Sequence, residues 1–112
     1  MHELSICRSI VGIVEKHAGD RGVRMVNVRI GAMRQIVPDT LVYCWSLVTE
    51  GTQFDGVELN VERVPAALRC EACGHEQQLA EPVLVCAACS GDRVTLVAGD
   101  EFLITSLELA EV

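Results

Sequence analysis

The sequence predicts an α+β fold, with two helices on a three-stranded mixed sheet and an inserted zinc-ribbon-like lobe. Three observations support this prediction. Two stretches repeat apolar residues at helical spacing, three stretches alternate apolar and polar residues, and four of the six cysteines form two Cys-x-x-Cys pairs. A chain of 112 residues can form one domain, or one small domain and a lobe stapled by a metal.

The first predicted helix covers residues 4–18, where apolar side chains recur on one face and charged side chains lie mostly on the other. A glycine-containing turn at residues 19–22 ends it. Residues 24–30 then alternate, with three β-branched residues on one side: Val26, Val28 and Ile30. This alternation predicts a strand with one buried face.

A second helix is predicted to start at Val37 and Pro38, with Asp39 or Thr40 as its cap, and to stop near residue 50. A second strand follows at residues 57–64. The strand–helix–strand unit over residues 24–64 is compatible with a right-handed parallel crossover. A last strand is predicted over residues 101–109, with four side chains on one face: Leu103, Thr105, Leu107 and Leu109.

Four cysteines occur as two close pairs, Cys70 with Cys73 and Cys86 with Cys89. The short spacing inside each pair lets both sulfurs reach one ion, and the twelve residues between the pairs allow a hairpin that brings them face to face. Four thiolates in a tetrahedron suit a structural Zn²⁺ and leave no open position for catalysis. His75 could compete as a ligand, but the thiolates already fill the shell. A redox Cys-x-x-Cys is less favoured, because neither pair begins a helix after a strand.

The cysteine pairs divide the chain into two predicted domains. Residues 67–99 are expected to form the inserted zinc-binding domain, with the cysteines on short turns and a short strand at 94–97. Residues 1–66 and 100–112 are expected to form the domain of helices and sheet. Because one strand enters the insertion and another leaves it, the two ends of the insertion should lie close together.

Composition argues against several classes of function. The net charge of −7 argues against nucleic-acid binding, because such proteins normally carry a basic face. The apolar runs are too short for a membrane span and no signal peptide is visible, so we expect a cytoplasmic location, where thiols stay reduced. No phosphate-binding glycine loop, Ser-His-Asp set or carboxylate pair stands out, so we expect no enzymatic activity.

The first three residues, Met1, His2 and Glu3, allow two interpretations. An α-amine, an imidazole and the intervening backbone amides can reach one ion, and Ni²⁺ or Cu²⁺ favours such square-planar nitrogen donors. Alternatively, the segment is a simple exposed terminus in which Glu3 interacts favourably with the helix dipole. On physical grounds alone the second interpretation is favoured.

The N-terminal Met-His-Glu-Leu-Ser, a helix and two late Cys-x-x-Cys pairs together resemble the HypA/HybF family of hydrogenase-maturation nickel chaperones. The similarity runs from Met1 to Leu109. It implies that Met1, His2 and Glu3 form a nickel site, through the N-terminal amine, the His2 side chain and the backbone nitrogens of His2 and Glu3. It also implies that the four paired cysteines bind zinc. The chain departs from the family around the second pair, where proline and glycine are common and this sequence has alanines and Ser90.

By this resemblance, the chain is expected to be a non-enzymatic metallochaperone that binds Ni(II) at its N-terminus and delivers it for [NiFe] hydrogenase maturation. Zn(II) would be a structural metal. The implied partners are a GTP-hydrolysing nickel maturation factor and the precursor of a [NiFe] hydrogenase large subunit. Two other hypotheses remain: a zinc-ribbon protein-interaction module without a nickel role, and a thiol redox enzyme.

Overall fold

A computed structural model describes residues 3–81 and 83–110 of the chain. Its elements in chain order are α1 (Glu3–Ala18), β1 (Val23–Gly31), a 3₁₀ turn (Ala32–Arg34), α2 (Pro38–Thr49), β2 (Glu58–Val64), β3 (Ala66–Cys70), β4 (Glu76–Leu79), β5 (Val94–Ala98) and β6 (Phe102–Leu109). The strands form two three-stranded sheets, ordered β2-β1-β6 and β4-β3-β5. We call α1, α2 and the first sheet the body, and the second sheet with its connecting loops the lobe.

The body sheet is mixed, as the sequence predicts. The central strand β1 pairs in parallel with β2, placing Val28 opposite Val61, and pairs antiparallel with β6. The parallel pair requires a crossover, and α2 supplies it. Because both helices pack on one face of this sheet, the prediction of an α+β fold with two helices on a mixed sheet is confirmed.

The core of the body lies between the helices and the sheet. The three β1 residues predicted to share a buried face are 0–3 % exposed. Trp45 of α2 is buried and its indole N–H donates to the Val57 carbonyl at 2.8 Å, which ties the helix to the segment before β2. Each large apolar side chain buried in this way contributes roughly 1.5–3 kcal/mol. None of the helices among the described residues is long and apolar enough to cross a bilayer.

The start of α2 differs from the prediction. Neither Asp39 nor Thr40 is the cap: Val37 occupies the N-cap position, Pro38 begins the helix, and none of the described side chains caps the first turn. Proline explains the shift, because its fixed φ suits the first helical position and its missing N–H removes one of the donors that a cap would satisfy.

The face assigned to the last strand was wrong in part, because Leu107 is the one predicted member that is among the residues packed on the core. The residues of β6 that pack on the core are Phe102, Ile104 and Leu107. Thr105 is an extra residue between the positions of β6 that pair with β1, so the strand contains a β-bulge. Strict alternation fails across a bulge because one added residue exchanges the two faces. Leu103 is consequently half exposed.

The lobe has a sheet of its own that sequence patterns did not predict in full. Its central strand β3 is antiparallel to both neighbours, and Leu68 in β3 is fully buried. The predicted strand at residues 94–97 is present as β5. The strand β4 reads Glu-Gln-Gln-Leu, and a four-residue segment with one apolar residue has no detectable strand pattern.

Candidate metal sites

The structure brings the four paired cysteines together at the end of the lobe. Their Sγ atoms all lie within 4.8 Å of one another. Two of the separations are 3.7 Å, between Cys70 and Cys89, and 3.6 Å, between Cys73 and Cys86. In a regular tetrahedron with Zn–S bonds of about 2.3 Å, the sulfurs lie about 3.8 Å apart. The cluster therefore has the ligand type and the spacing of a closed zinc site.

Two similar turns position these cysteines. In the first, the N–H of Gly74 donates to the Cys70 carbonyl at 2.9 Å, and in the second the N–H of Ser90 donates to the Cys86 carbonyl at 2.8 Å. Gly74 and Ser90 both have left-handed backbone angles, with φ of 79° and 62°. Ser90 therefore occupies the glycine position of the second turn. A serine there costs roughly 1–2 kcal/mol relative to the right-handed conformation.

A side chain from β4 holds the second turn against the sheet. The N–H of Ala87 donates to Gln77 Oε1 at 2.8 Å, and Gln77 Nε2 donates to the Val85 carbonyl at 3.2 Å. Gln77 thus fixes the segment that carries the second cysteine pair, which has no strand of its own. Sequence analysis missed this residue. Its only signal is a glutamine between the two cysteine pairs, which is too common to be informative.

The cysteines differ in exposure and in acidity. Cys70 and Cys86 are buried, whereas Cys73 and Cys89 are exposed. The backbone N–H of Cys73 is the main cause that lowers the pKa of the Cys70 thiol, to about 7. The N–H of His75 acts in the same direction on Cys73, but hydrogen bonding with the Cys86 thiol, local desolvation and the other two thiols outweigh it and raise the pKa of Cys73 to about 12. The Cys70 thiol is therefore more acidic than the Cys73 thiol, and metal binding to the cluster is coupled to the release of thiol protons.

The predicted nickel site falls mainly outside the described residues. Met1 and His2 are not among them, and Glu3 is the first residue of α1. One turn further along α1, the thiol of Cys7 donates to the Leu41 carbonyl, at 3.4 Å, in the first turn of α2. The N-terminal ends of both helices therefore lie side by side. Because α2 follows the 3₁₀ turn after β1, this is the end of the body to which the lobe is attached.

The two remaining cysteines belong to the helix layer. Cys7 is fully buried, and burial, followed by the nearby Cys44 and Glu3, raises the pKa of its thiol to about 12. A thiol that keeps its proton is a poor metal ligand. Cys44 is partly buried and packs against the same core.

Comparison with known proteins gives one consistent result. Residues 1–109 match the family model described as hydrogenase/urease nickel incorporation metallochaperone, HypA. The chain is 36 % identical to the hydrogenase maturation factor HypA of Desulfosudis oleivorans, covering 99 % of this chain and 100 % of the relative. It is 39 % identical to the hydrogenase maturation factor HypA of Geotalea uraniireducens, covering 97 % and 99 %.

Solved structures agree in fold. The solution structure of the Ni metallochaperone HypA from Helicobacter pylori superposes with a TM-score of 0.68 at 24 % identity, covering 97 % of both chains. A second solution structure of a HypA protein gives a TM-score of 0.68 at 25 % identity, covering 98 % of this chain and 97 % of the other. The similarity therefore extends over the body and the lobe alike.

Proposed function

Because the chain belongs to the HypA family of hydrogenase/urease nickel-incorporation metallochaperones, we propose that it binds Ni(II) at its N-terminus and delivers it for [NiFe] hydrogenase maturation. The ligands are the α-amine of Met1, the imidazole of His2 and the backbone nitrogens of His2 and Glu3. The observation that carries this proposal is that the family match includes residues 1–3, which hold this nitrogen donor set. Four nitrogen donors suit square-planar Ni²⁺.

A zinc ion in the four-cysteine cluster has a structural role in this proposal. The sulfur separations support tetrahedral coordination, and four protein ligands exclude a substrate from the metal. A structural Zn²⁺ contributes of order 10 kcal/mol to folding. That contribution matters because few of the lobe's side chains are fully buried. The same closed shell favours a role in recognition over catalysis or thiol redox chemistry.

The proposed division into domains places residues 1–66 and 100–112 in the nickel-binding domain and residues 67–99 in the zinc-binding domain. The two separate sheets support it to within one residue, since Ala66 already belongs to β3 of the lobe. In this arrangement the body supplies the cargo site at the end that faces the lobe. A site built from one terminus has few protein atoms around its ion, so a partner can replace its ligands one at a time.

The proposed partners are a GTP-hydrolysing nickel maturation factor, which supplies or gates nickel, and the precursor of a [NiFe] hydrogenase large subunit, which receives it. The location proposed for this exchange is the cytoplasm. Two exposed apolar side chains one turn apart on α2 support a role in docking: Tyr43 is 63 % exposed and Leu47 is 50 % exposed. Tyr43 lies in the middle of α2 and Leu47 in its last turn, so both side chains are on the same exposed face of the helix.

The alternative function is a zinc-ribbon interaction module without a nickel role. One observation favours it: three consecutive aliphatic residues of the lobe are 41–56 % exposed, Val83, Leu84 and Val85. Gln77 donates to the Val85 carbonyl and thereby anchors one end of this exposed apolar segment. Such a surface suits protein recognition but says nothing about nickel.

A nickel titration distinguishes the two functions. Zinc-loaded protein with its authentic N-terminus is compared with a copy that carries one extra residue before Met1 and with His2→Ala. The matched control is His17→Ala, which removes an exposed histidine of α1 far from the terminus. We expect the native chain and the control to bind one Ni²⁺ with the visible absorption of a square-planar complex, and the two altered termini to lose it. Equal binding by all four proteins would favour the interaction module.

A further inference from the structure

The body and the lobe are joined by a close crossing of backbone segments. At the end of β1, the N–H of Gly31 donates to the Glu101 carbonyl at 2.7 Å. Two residues later, the N–H of Met33 donates to the Gly99 carbonyl at 2.8 Å. The chain that leaves the lobe therefore lies directly against the end of the central strand of the body.

Two glycines make this approach possible. A Cβ atom at Gly31 would overlap the carbonyl group of Gly99. A Cβ atom at Gly99 would overlap the backbone of Ala66 and lie 2.8 Å from its Cβ atom. Gly99 also has φ +105°, a conformation that side chains rarely adopt. Three segments thus meet at one point: the end of β1, the first residue of β3 and the chain after β5.

Side chains add hydrogen bonds and an ion pair at this crossing. Glu101 Oε1 accepts the N–H of Gly99 at 2.7 Å. Arg34, in the 3₁₀ turn of the body, donates through Nε to the Asp100 carbonyl at 2.9 Å and pairs with the Asp100 carboxylate at 3.6 Å. The segment 99–101 is therefore held by Arg34 of the body and by the side chain of Glu101 within the segment.

Beside this crossing, the side chains of the body and the lobe leave a gap. A cleft of about 360 Å³ separates the start of α2, at Val37 and Pro38, from the end of β4 and the residues after it, at Leu79 and Glu81. Packing on this side cannot fix the angle between the two parts, because the facing side chains leave an open space. The angle between the body and the lobe then depends on the backbone crossing.

We propose that the crossing of Gly31, Gly99 and Ala66 is a clamp that holds the lobe in one orientation relative to the body. The clamp keeps the four-cysteine cluster at a fixed position with respect to the first turn of α1. A partner that contacts both parts then meets a preorganised surface and does not have to order two independent parts. This inference concerns orientation alone and does not depend on the proposed nickel site.

The test compares two alanine substitutions at left-handed glycines in the zinc-loaded full-length protein. Gly99→Ala forces Ala66 away. Gly56→Ala is the matched control, because Gly56 has φ +83° but no described atom within 4 Å of an added Cβ. Residual dipolar couplings are measured for amides of β1 and β3. We expect one alignment tensor to fit both strands in the wild type and in Gly56→Ala, and two different tensors to be needed in Gly99→Ala, with one zinc per chain retained.

A single shared tensor in Gly99→Ala would overturn the proposal, and so would a wild type that needs two. If Gly99→Ala does not fold, Glu101→Ala provides the second test, because it removes the acceptor of the Gly99 N–H without adding an atom. In that variant we expect hydrogen exchange at the Gly31 and Met33 amides to accelerate at least tenfold, while the Val28 amide in the middle of β1 keeps its protection. Unchanged exchange at Gly31 and Met33 would contradict the clamp.

Discussion

The Sγ atoms of Cys73 and Cys86 lie 3.6 Å apart although the two residues are 13 positions apart in the chain. Each comes from a different turn, and the two turns have the same hydrogen-bond pattern. The contact therefore depends on the whole segment between them, including β4 and Gln77. Loss of one sulfur should affect that entire segment.

Cys73→Ala is expected to release zinc and unfold the lobe while the body keeps its structure. The body has its own buried core between the helices and β1, whereas the lobe depends on the metal for folding energy. Zinc content and amide spectra of β1 and β3 measure the two parts separately. Cys44→Ala is the control, since it removes a thiol outside the cluster and should keep the zinc. Loss of the helix signal in Cys73→Ala would contradict the independence of the body.

Ser90→Gly is expected to stabilise the zinc-loaded lobe by about 1 kcal/mol. Ser90 has φ 62°, and glycine adopts this conformation without the Cβ penalty. The reciprocal change, Gly74→Ser, places the penalty in the first turn and should destabilise the lobe by a similar amount. Denaturant midpoints of the lobe amides, at a fixed free zinc concentration, measure both changes. A lower midpoint for Ser90→Gly would show that the hydroxyl of Ser90 matters more than its backbone angle.

The body could be predicted from the sequence because its elements are long and strongly patterned. In β1, alternation identified the three buried residues correctly. The bulge at Thr105 could not be predicted, because a single residue that breaks alternation looks the same in sequence as a short irregular segment. The uncapped start of α2 was missed because polar residues at 39 and 40 are good caps in general, whereas Pro38, with its fixed φ and missing N–H, takes the first helical position.

The zinc cluster could be predicted because cysteine spacing limits geometry directly. The details around it could not. Ser90 takes a glycine-like conformation because the turn requires it, against the residue's own preference. Gln77 supports the second turn through two hydrogen bonds that depend on the pairing of β4 with β3, which no local pattern reveals. For the nickel site, Met1 and His2 lie outside the described residues, so that prediction still depends on family membership.

Nickel affinity is expected to fall steeply on acidification. The proposed ligands must lose protons before they bind, and they include an imidazole with a reference pKa near 6.5 and an α-amine with a reference pKa near 8. Below these values each ligand proton competes with the metal, so affinity should decrease by at least about tenfold per pH unit. Titrations of the zinc-loaded protein between mildly acid and mildly alkaline pH measure this, with zinc content checked at each point. A flat affinity over that range would exclude the imidazole and the amine as ligands.

The buried thiol of Cys7 should make the body less stable at alkaline pH. Its pKa is raised in the folded state to about 12, so the folded protein keeps the proton where the unfolded chain loses it. The stability that the folded body gains from the buried, protonated Cys7 thiol is therefore fully present below the unfolded pKa of about 8.5. It is lost as the pH rises toward 12. Cys7→Ser keeps a donor for the Leu41 carbonyl but does not titrate in this range. We expect the unfolding midpoint of the wild-type body to fall more steeply between pH 8.5 and 10.5 than that of Cys7→Ser, and parallel curves would show that Cys7 titrates normally.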